Sequence, residues 1–85
     1  MSHTPTYQDL LNITAGSETK SLTSSQLLAT HNWCDSQSRA DIYRAFFNSQ
    51  TPKRVRVILL DCVWIRTTGG AGDPPTPDAY LRRVH

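Results

Sequence analysis

Apolar side chains recur along this chain in short groups of helical spacing, with hydroxyl-rich breaks between them. Tyr7, Leu10, Leu11 and Thr14 follow a three-to-four-residue spacing behind Thr4-Pro5. A short first helix is therefore predicted, with Thr4 as its N-cap and Pro5 at its first position. Gly16, and the lack of any apolar side chain larger than Ala15, mark 15–20 as a loop. Thr23-Ser24-Ser25-Gln26 has the form of a capping box, in which the Thr23 hydroxyl accepts from the Gln26 N–H and Gln26 reaches back to the Thr23 N–H. The helix it opens is expected over 24–31, with Leu27, Leu28 and His31 on its inner side. A polar turn over 32–38, around Trp33, then leads to a second helix over 39–48 capped by Ser38. Its Ile42, Tyr43, Phe46 and Phe47 form one wide apolar stripe.

Pro52 closes that helix and restricts Thr51 before it. The next segment, 53–66, begins with alternating Arg and Val and is rich in Val and Ile, which favours a strand. Its length calls for a bend or break near Asp61-Cys62, since strands usually run five or six residues. A buried helix through 55–65 is the alternative. A Gly/Pro loop over 67–75 follows, and Thr76-Pro77 introduces a short C-terminal helix over 77–84. The expected architecture is a single small α+β domain spanning 1–85. It consists of an N-terminal helix and loop (1–21), a helix-turn-helix-like pair (22–49), a strand or hairpin (53–66) and the C-terminal helix (76–84).

The length of 85 residues supports one core and excludes a two-domain enzyme. Seven aromatic side chains supply that core, and eighteen Ser and Thr residues make hydroxyls the main source of polarity. The longest apolar run, 57–60, is far too short for a membrane span. No charged segment followed by an apolar stretch marks a secretory leader, so the expectation is a cytoplasmic protein with Cys34 and Cys62 reduced. In an oxidising compartment the same two residues would supply one bridge.

Net charge changes the picture only when it is divided along the chain. Residues 1–38 carry Lys20 against Asp9, Glu18 and Asp35, a net −2, whereas residues 39–85 carry seven Arg and Lys53 against four Asp, a net +4. An Arg-rich second half points to an anionic partner, because guanidinium forks suit phosphate and carboxylate.

The run Ser38-Arg39-Ala40-Asp41-Ile42-Tyr43-Arg44 resembles the start of the recognition helix in excisionase/AlpA-type small DNA-binding proteins. Thr51-Pro52-Lys53-Arg54-Val55-Arg56-Val57 is similar to the entry into that family's wing, with 64–66 as the wing's return, and Asp78-Ala79-Tyr80-Leu81-Arg82 resembles its terminal helix. The resemblance implies a winged helix-turn-helix that binds double-stranded DNA as an excisionase or transcription regulator of a phage or mobile element. It places Gln37, Ser38, Arg39 and Asp41 near base edges in the major groove, and Arg44, Lys53, Arg54 and Arg56 on phosphates. An apolar edge at 57–60 would also allow a homodimer.

Catalytic signatures are absent from the sequence. His31-x-x-Cys34 with Cys62 is one close ligand pair plus a distant thiol, short of a zinc signature, so no metal and no cofactor are expected. Cys34 and His31 lack an orienting acid at recognisable spacing. Gly69-Gly70-Ala71-Gly72 is followed by Asp73-Pro74-Pro75 and lacks the Gly-Lys-Ser/Thr ending of a phosphate loop. The chain is therefore expected not to be an enzyme. The competing expectation is a small phage-encoded inhibitor that covers an acidic surface of a host protein, using aromatic and Arg side chains as anchors.

Overall fold

The computed structural model describes residues 4–69 and 72. These form four α-helices and no strand: α1 (Tyr7–Ile13), α2 (Ser24–Asp35), α3 (Arg39–Phe47) and α4 (Lys53–Thr68). The expected α+β class is thus corrected to an all-helical fold. The C-terminal helix expected over 76–84 lies outside the described residues.

Local chemistry starts each helix. The cap of α1 is Thr6, not Thr4: the Asp9 N–H donates to the Thr6 hydroxyl at 3.4 Å, and the Thr6 N–H donates to Asp9 Oδ2 at 2.7 Å. Two reciprocal bonds outweigh the preference of Pro for a first helical position, and Pro5 stays outside. The box expected at Thr23 and Gln26 opens α2, with bonds of 3.1 and 3.0 Å. Ser38 caps α3 by accepting from the Asp41 N–H at 3.2 Å.

The inner face of α2 differs from expectation. Leu27 and Leu28 are 42% and 64% exposed, and the helix instead buries Thr30, Trp33 and Cys34. It therefore runs past His31 to Asp35, and the turn before α3 is shorter than expected. A polar residue can sit inward when its hydrogen bonds are met locally. Thr30 Oγ1 donates to the Gln26 carbonyl at 2.8 Å, and Trp33 Nε1 donates to the Thr6 carbonyl at 2.8 Å.

The segment expected as a strand or wing, 53–66, lies in α4, the longest helix. Val55, Leu59, Leu60 and Val63 are its buried residues, at spacings that share one side of a helix. A pleated strand would instead put Val55, Leu59, Asp61 and Val63 on one face and Leu60 on the other, burying a carboxylate while exposing a leucine. The intrinsic penalty for β-branched residues in a helix, at most about 0.7 kcal/mol each, is smaller than the ~1.5–3 kcal/mol gained by burying a side chain such as Leu60. Gly69 ends the helix in the left-handed region at φ 70°, and its N–H donates to the Ile65 carbonyl at 2.8 Å.

Packing is closest between α3 and α4, while α2 leans on both α1 and α4. The core unites Leu10, Trp33, Cys34, Ile42, Ala45, Phe46 and the four buried residues of α4. Thr51, in the α3–α4 connection, donates from Oγ1 to the Ala45 carbonyl at 2.7 Å and lies 2.6 Å from the Tyr7 hydroxyl. That pair ties α1 to the start of α4, where the exposed cations are found.

Candidate nucleic-acid interface

The eight residues expected to contact DNA divide into three that are engaged within the fold, Gln37, Ser38 and Arg56, and five that face outward, Arg39, Asp41, Arg44, Lys53 and Arg54. Gln37 faces inward: it is 8% exposed, and its side-chain amide donates to the Pro5 carbonyl at 2.6 Å and to Ser36 Oγ at 3.2 Å. A side chain held this way would have to give up both bonds to reach a base edge. Ser38 is occupied as the α3 cap. Arg56 is half-buried, with Nη2 donating to the Asn48 carbonyl at 3.0 Å and Nε buried without a partner. It serves the α3–α4 connection and not an outer surface.

Four exposed cations remain: Arg39, Arg44, Lys53 and Arg54. Arg44 Nη1 lies 3.5 Å from Asp41 Oδ1, one helical turn away, and this pair is largely in water. Such an exposed pair contributes about 0–1 kcal/mol, too little to keep Arg44 from an incoming phosphate.

The first turn of α4 has an unusual charge arrangement. Its N-cap is Pro52, which supplies no side-chain acceptor. The Val55 and Arg56 N–H groups both donate to the Pro52 carbonyl, at 3.0 and 3.1 Å. The first two N–H groups, on Lys53 and Arg54, have no acceptor among the described residues. A helix N-terminus already carries partial positive charge, and carboxylates normally occupy it. Here no acidic residue occupies the first turn, and Lys53 and Arg54 add two positive charges. An oxyanion at this end would relieve the repulsion and accept from the open N–H groups.

A cleft of about 370 Å³ lies against the same turn, lined by Ser17, Glu18, Pro52, Lys53 and Arg54. Ser17 is 2% exposed, and its Oγ has no hydrogen-bond partner. Such a hydroxyl forgoes roughly 1–3 kcal/mol. Glu18 opposes an anion there, and the two cations outnumber it. The sequence carried no sign of Ser17, which is one loop hydroxyl among many.

Arg66, expected in the return of a wing, has a structural task. Its Nη1 donates to the Gln37 carbonyl at 2.7 Å and its Nη2 to the Cys34 carbonyl at 2.6 Å, so a cation from α4 covers the C-terminal end of α2. Replacing it (Arg66→Met) keeps the aliphatic stem and removes both bonds. The expected cost is about 1–2 kcal/mol after allowing for the exposure of the side chain. Urea unfolding followed by circular dichroism measures it, and a loss below about 0.5 kcal/mol would show that water replaces the guanidinium without penalty.

Cys34 and Cys62 are both free thiols, and His31 Nδ1 lies 3.5 Å from Cys62 Sγ. No group of three or more His, Cys, Asp or Glu suited to a metal ion occurs among the described residues. No helix among them is long and apolar enough to cross a membrane. No known protein family matches the chain, nor does any curated protein or solved structure.

Proposed function

We propose that the chain is a small, non-enzymatic DNA-binding regulatory protein that holds double-stranded DNA by its phosphates. The observation that carries this reading is the first turn of α4, where the exposed Lys53 and Arg54 lie beside two open N–H groups with no acidic residue to balance them. Arg44, in the last turn of α3, and Arg39, in its first, add cations from the helix that precedes the turn. With Gln37 turned inward, contact is mainly to backbone, and sequence preference comes from the few exposed groups of α3. Two free thiols are in keeping with a cytoplasmic setting.

Fluorescence anisotropy of a labelled duplex tests this. Four phosphate contacts predict an affinity falling about a hundredfold between 50 and 200 mM salt. The double substitution Lys53→Gln, Arg54→Gln is expected to weaken binding at low salt by about tenfold or more, and to flatten the salt slope by about two. Wild-type protein that leaves the duplex free at 50 mM salt, or a double variant that binds equally well, overturns the reading.

One observation favours a second reading. Leu27, Leu28, Phe47, Val57 and Ile65, on three helices, are all between 42% and 64% exposed, apolar side chains that another protein could cover. An inhibitor of that kind would show no affinity for DNA, would form a defined complex with its partner, and would lose it on Val57→Ser with Ile65→Ser.

A further inference from the structure

Two thiols and an imidazole meet where α2 crosses α4, apart from the cationic end described above. Cys34, from α2, is fully buried, whereas Cys62, from α4, is only partly so. Cys62 packs against the core cluster to which Cys34 belongs, where α2 meets α4, and His31, one turn before Cys34, stands with Nδ1 3.5 Å from Cys62 Sγ. Arg66, one turn after Cys62, donates to the Cys34 carbonyl at 2.6 Å and so fixes the spacing of the two helices at this level.

We propose that this cluster is a thiol-oxidation site for hydroperoxides, with Cys62 as the attacking sulfur and Cys34 as the resolving one. The assignment follows from access and partners. Cys62 is the thiol within reach of both solvent and the imidazole; Cys34 lies beneath it. The Cys62 thiol is shifted down from 9.0 to about 7, first by the hydrogen bond from Cys34 and then by the hydrogen bond and charge of His31, with burial and Asp61 acting against them. Cys34 is held protonated by its hydrogen bond to Cys62, by burial and by the negative charge on its neighbour and on Asp35, with Arg66 opposing. One sulfur of the pair is thus ionised near neutral pH and the other is kept as the thiol.

In the first step the Cys62 thiolate attacks a peroxide oxygen. An S–O bond forms, the O–O bond breaks, and the leaving alkoxide or hydroxide takes a proton from solvent. In the second, the Cys34 sulfur attacks the sulfenic sulfur of Cys62. The S–S bond forms, the S–O bond breaks, and the departing hydroxide leaves as water with the Cys34 proton. Two electrons pass from the sulfurs to the peroxide. The product is an intramolecular disulfide that joins α2 to α4, formed by drawing together two sulfurs at the packing of these helices.

Hydrogen peroxide is the probe, with mass spectrometry and thiol titration as readouts. Wild-type protein is expected to lose two hydrogens and both titratable thiols, and peptide mapping to show a Cys34–Cys62 link within one chain. Cys34→Ala is expected to stop at a sulfenic acid on Cys62 that dimedone traps. Cys62→Ser is expected to leave Cys34 unreacted over the same period. His31→Gln is expected to slow oxidation at pH 7 by about two- to threefold, since lost thiolate is partly offset by higher intrinsic nucleophilicity. Circular dichroism verifies that each variant is folded. The proposal is overturned if both wild-type thiols survive excess peroxide, if the link forms only between chains, or if folded Cys62→Ser reacts as fast as wild type.

Discussion

Phe46→Ala is expected to remove most of the protein's stability. Phe46 is 1% exposed and belongs to the cluster shared by α3 and α4. Truncating a buried phenylalanine costs about 3–5 kcal/mol, part lost transfer energy and part the cavity left behind. A domain of this length has a total stability on the order of 5–10 kcal/mol, so the variant approaches the unfolding threshold at 25 °C. The neighbours leave little room for collapse. Ile42 and Ala45 flank the site on α3, and α4 presents Val55 and Leu59, which are already fully buried. Phe47 supplies the internal comparison. It packs edge-on against Phe46, with ring centroids 5.2 Å apart, and is itself 42% exposed. Phe47→Ala is therefore expected to cost about 1 kcal/mol or less. Urea unfolding monitored by circular dichroism checks both. Equal losses for the two variants, or a loss under about 1.5 kcal/mol for Phe46→Ala, would mean that the inward face of α3 is not the one described.

How far the fold was legible depended on whether one element's residues were enough to decide it. The cap of α2 at Thr23 was readable because its two bonds lie within four residues, and α3 was readable because Ile42 and Phe46 keep helical spacing. The segment that became α4 was not, because the four residues of Arg/Val alternation over 54–57 say strand while the position of Asp61 relative to Leu60 says helix. Which pattern prevails depends on what covers the segment, and that cover comes from α2 and α3. The candidate site divides in the same way. Exposed Arg39, Arg44, Lys53 and Arg54 were legible as cations on the second half of the chain. The inward placement of Gln37 was not legible, because its partner, the Pro5 carbonyl, is distant in sequence. Ser17 likewise comes from tertiary contact between segments whose own composition gives no sign of it. Cys34 and Cys62 were legible as the one bridge that two cysteines allow, but not as thiols beside His31.

Trp33 shows the same dependence on distant partners, and its replacement is the second large effect expected. The residue reads locally as part of a polar turn, but it is 3% exposed and helical. Its Nε1 donates to the Thr6 carbonyl at 2.8 Å, and one turn later the Gln37 amide donates to the Pro5 carbonyl at 2.6 Å. The end of α2 thus holds the segment that caps α1. Trp33→Ala removes the indole and its donor together, for an expected loss of about 3–5 kcal/mol. Trp33→Phe retains most of the apolar contact and deletes the donor, leaving the Thr6 carbonyl to the weaker 3.3 Å bond from the Leu10 N–H; about 1–2 kcal/mol is expected. The two variants should differ in where as well as in how much. Amide exchange in Trp33→Phe should accelerate in α1 while α3 and α4 keep their protection, because α1 touches the rest through α2 and the Tyr7–Thr51 pair. If exchange in Trp33→Phe accelerates evenly over all four helices, the indole acts through the common core, and the tether to Thr6 contributes nothing separate.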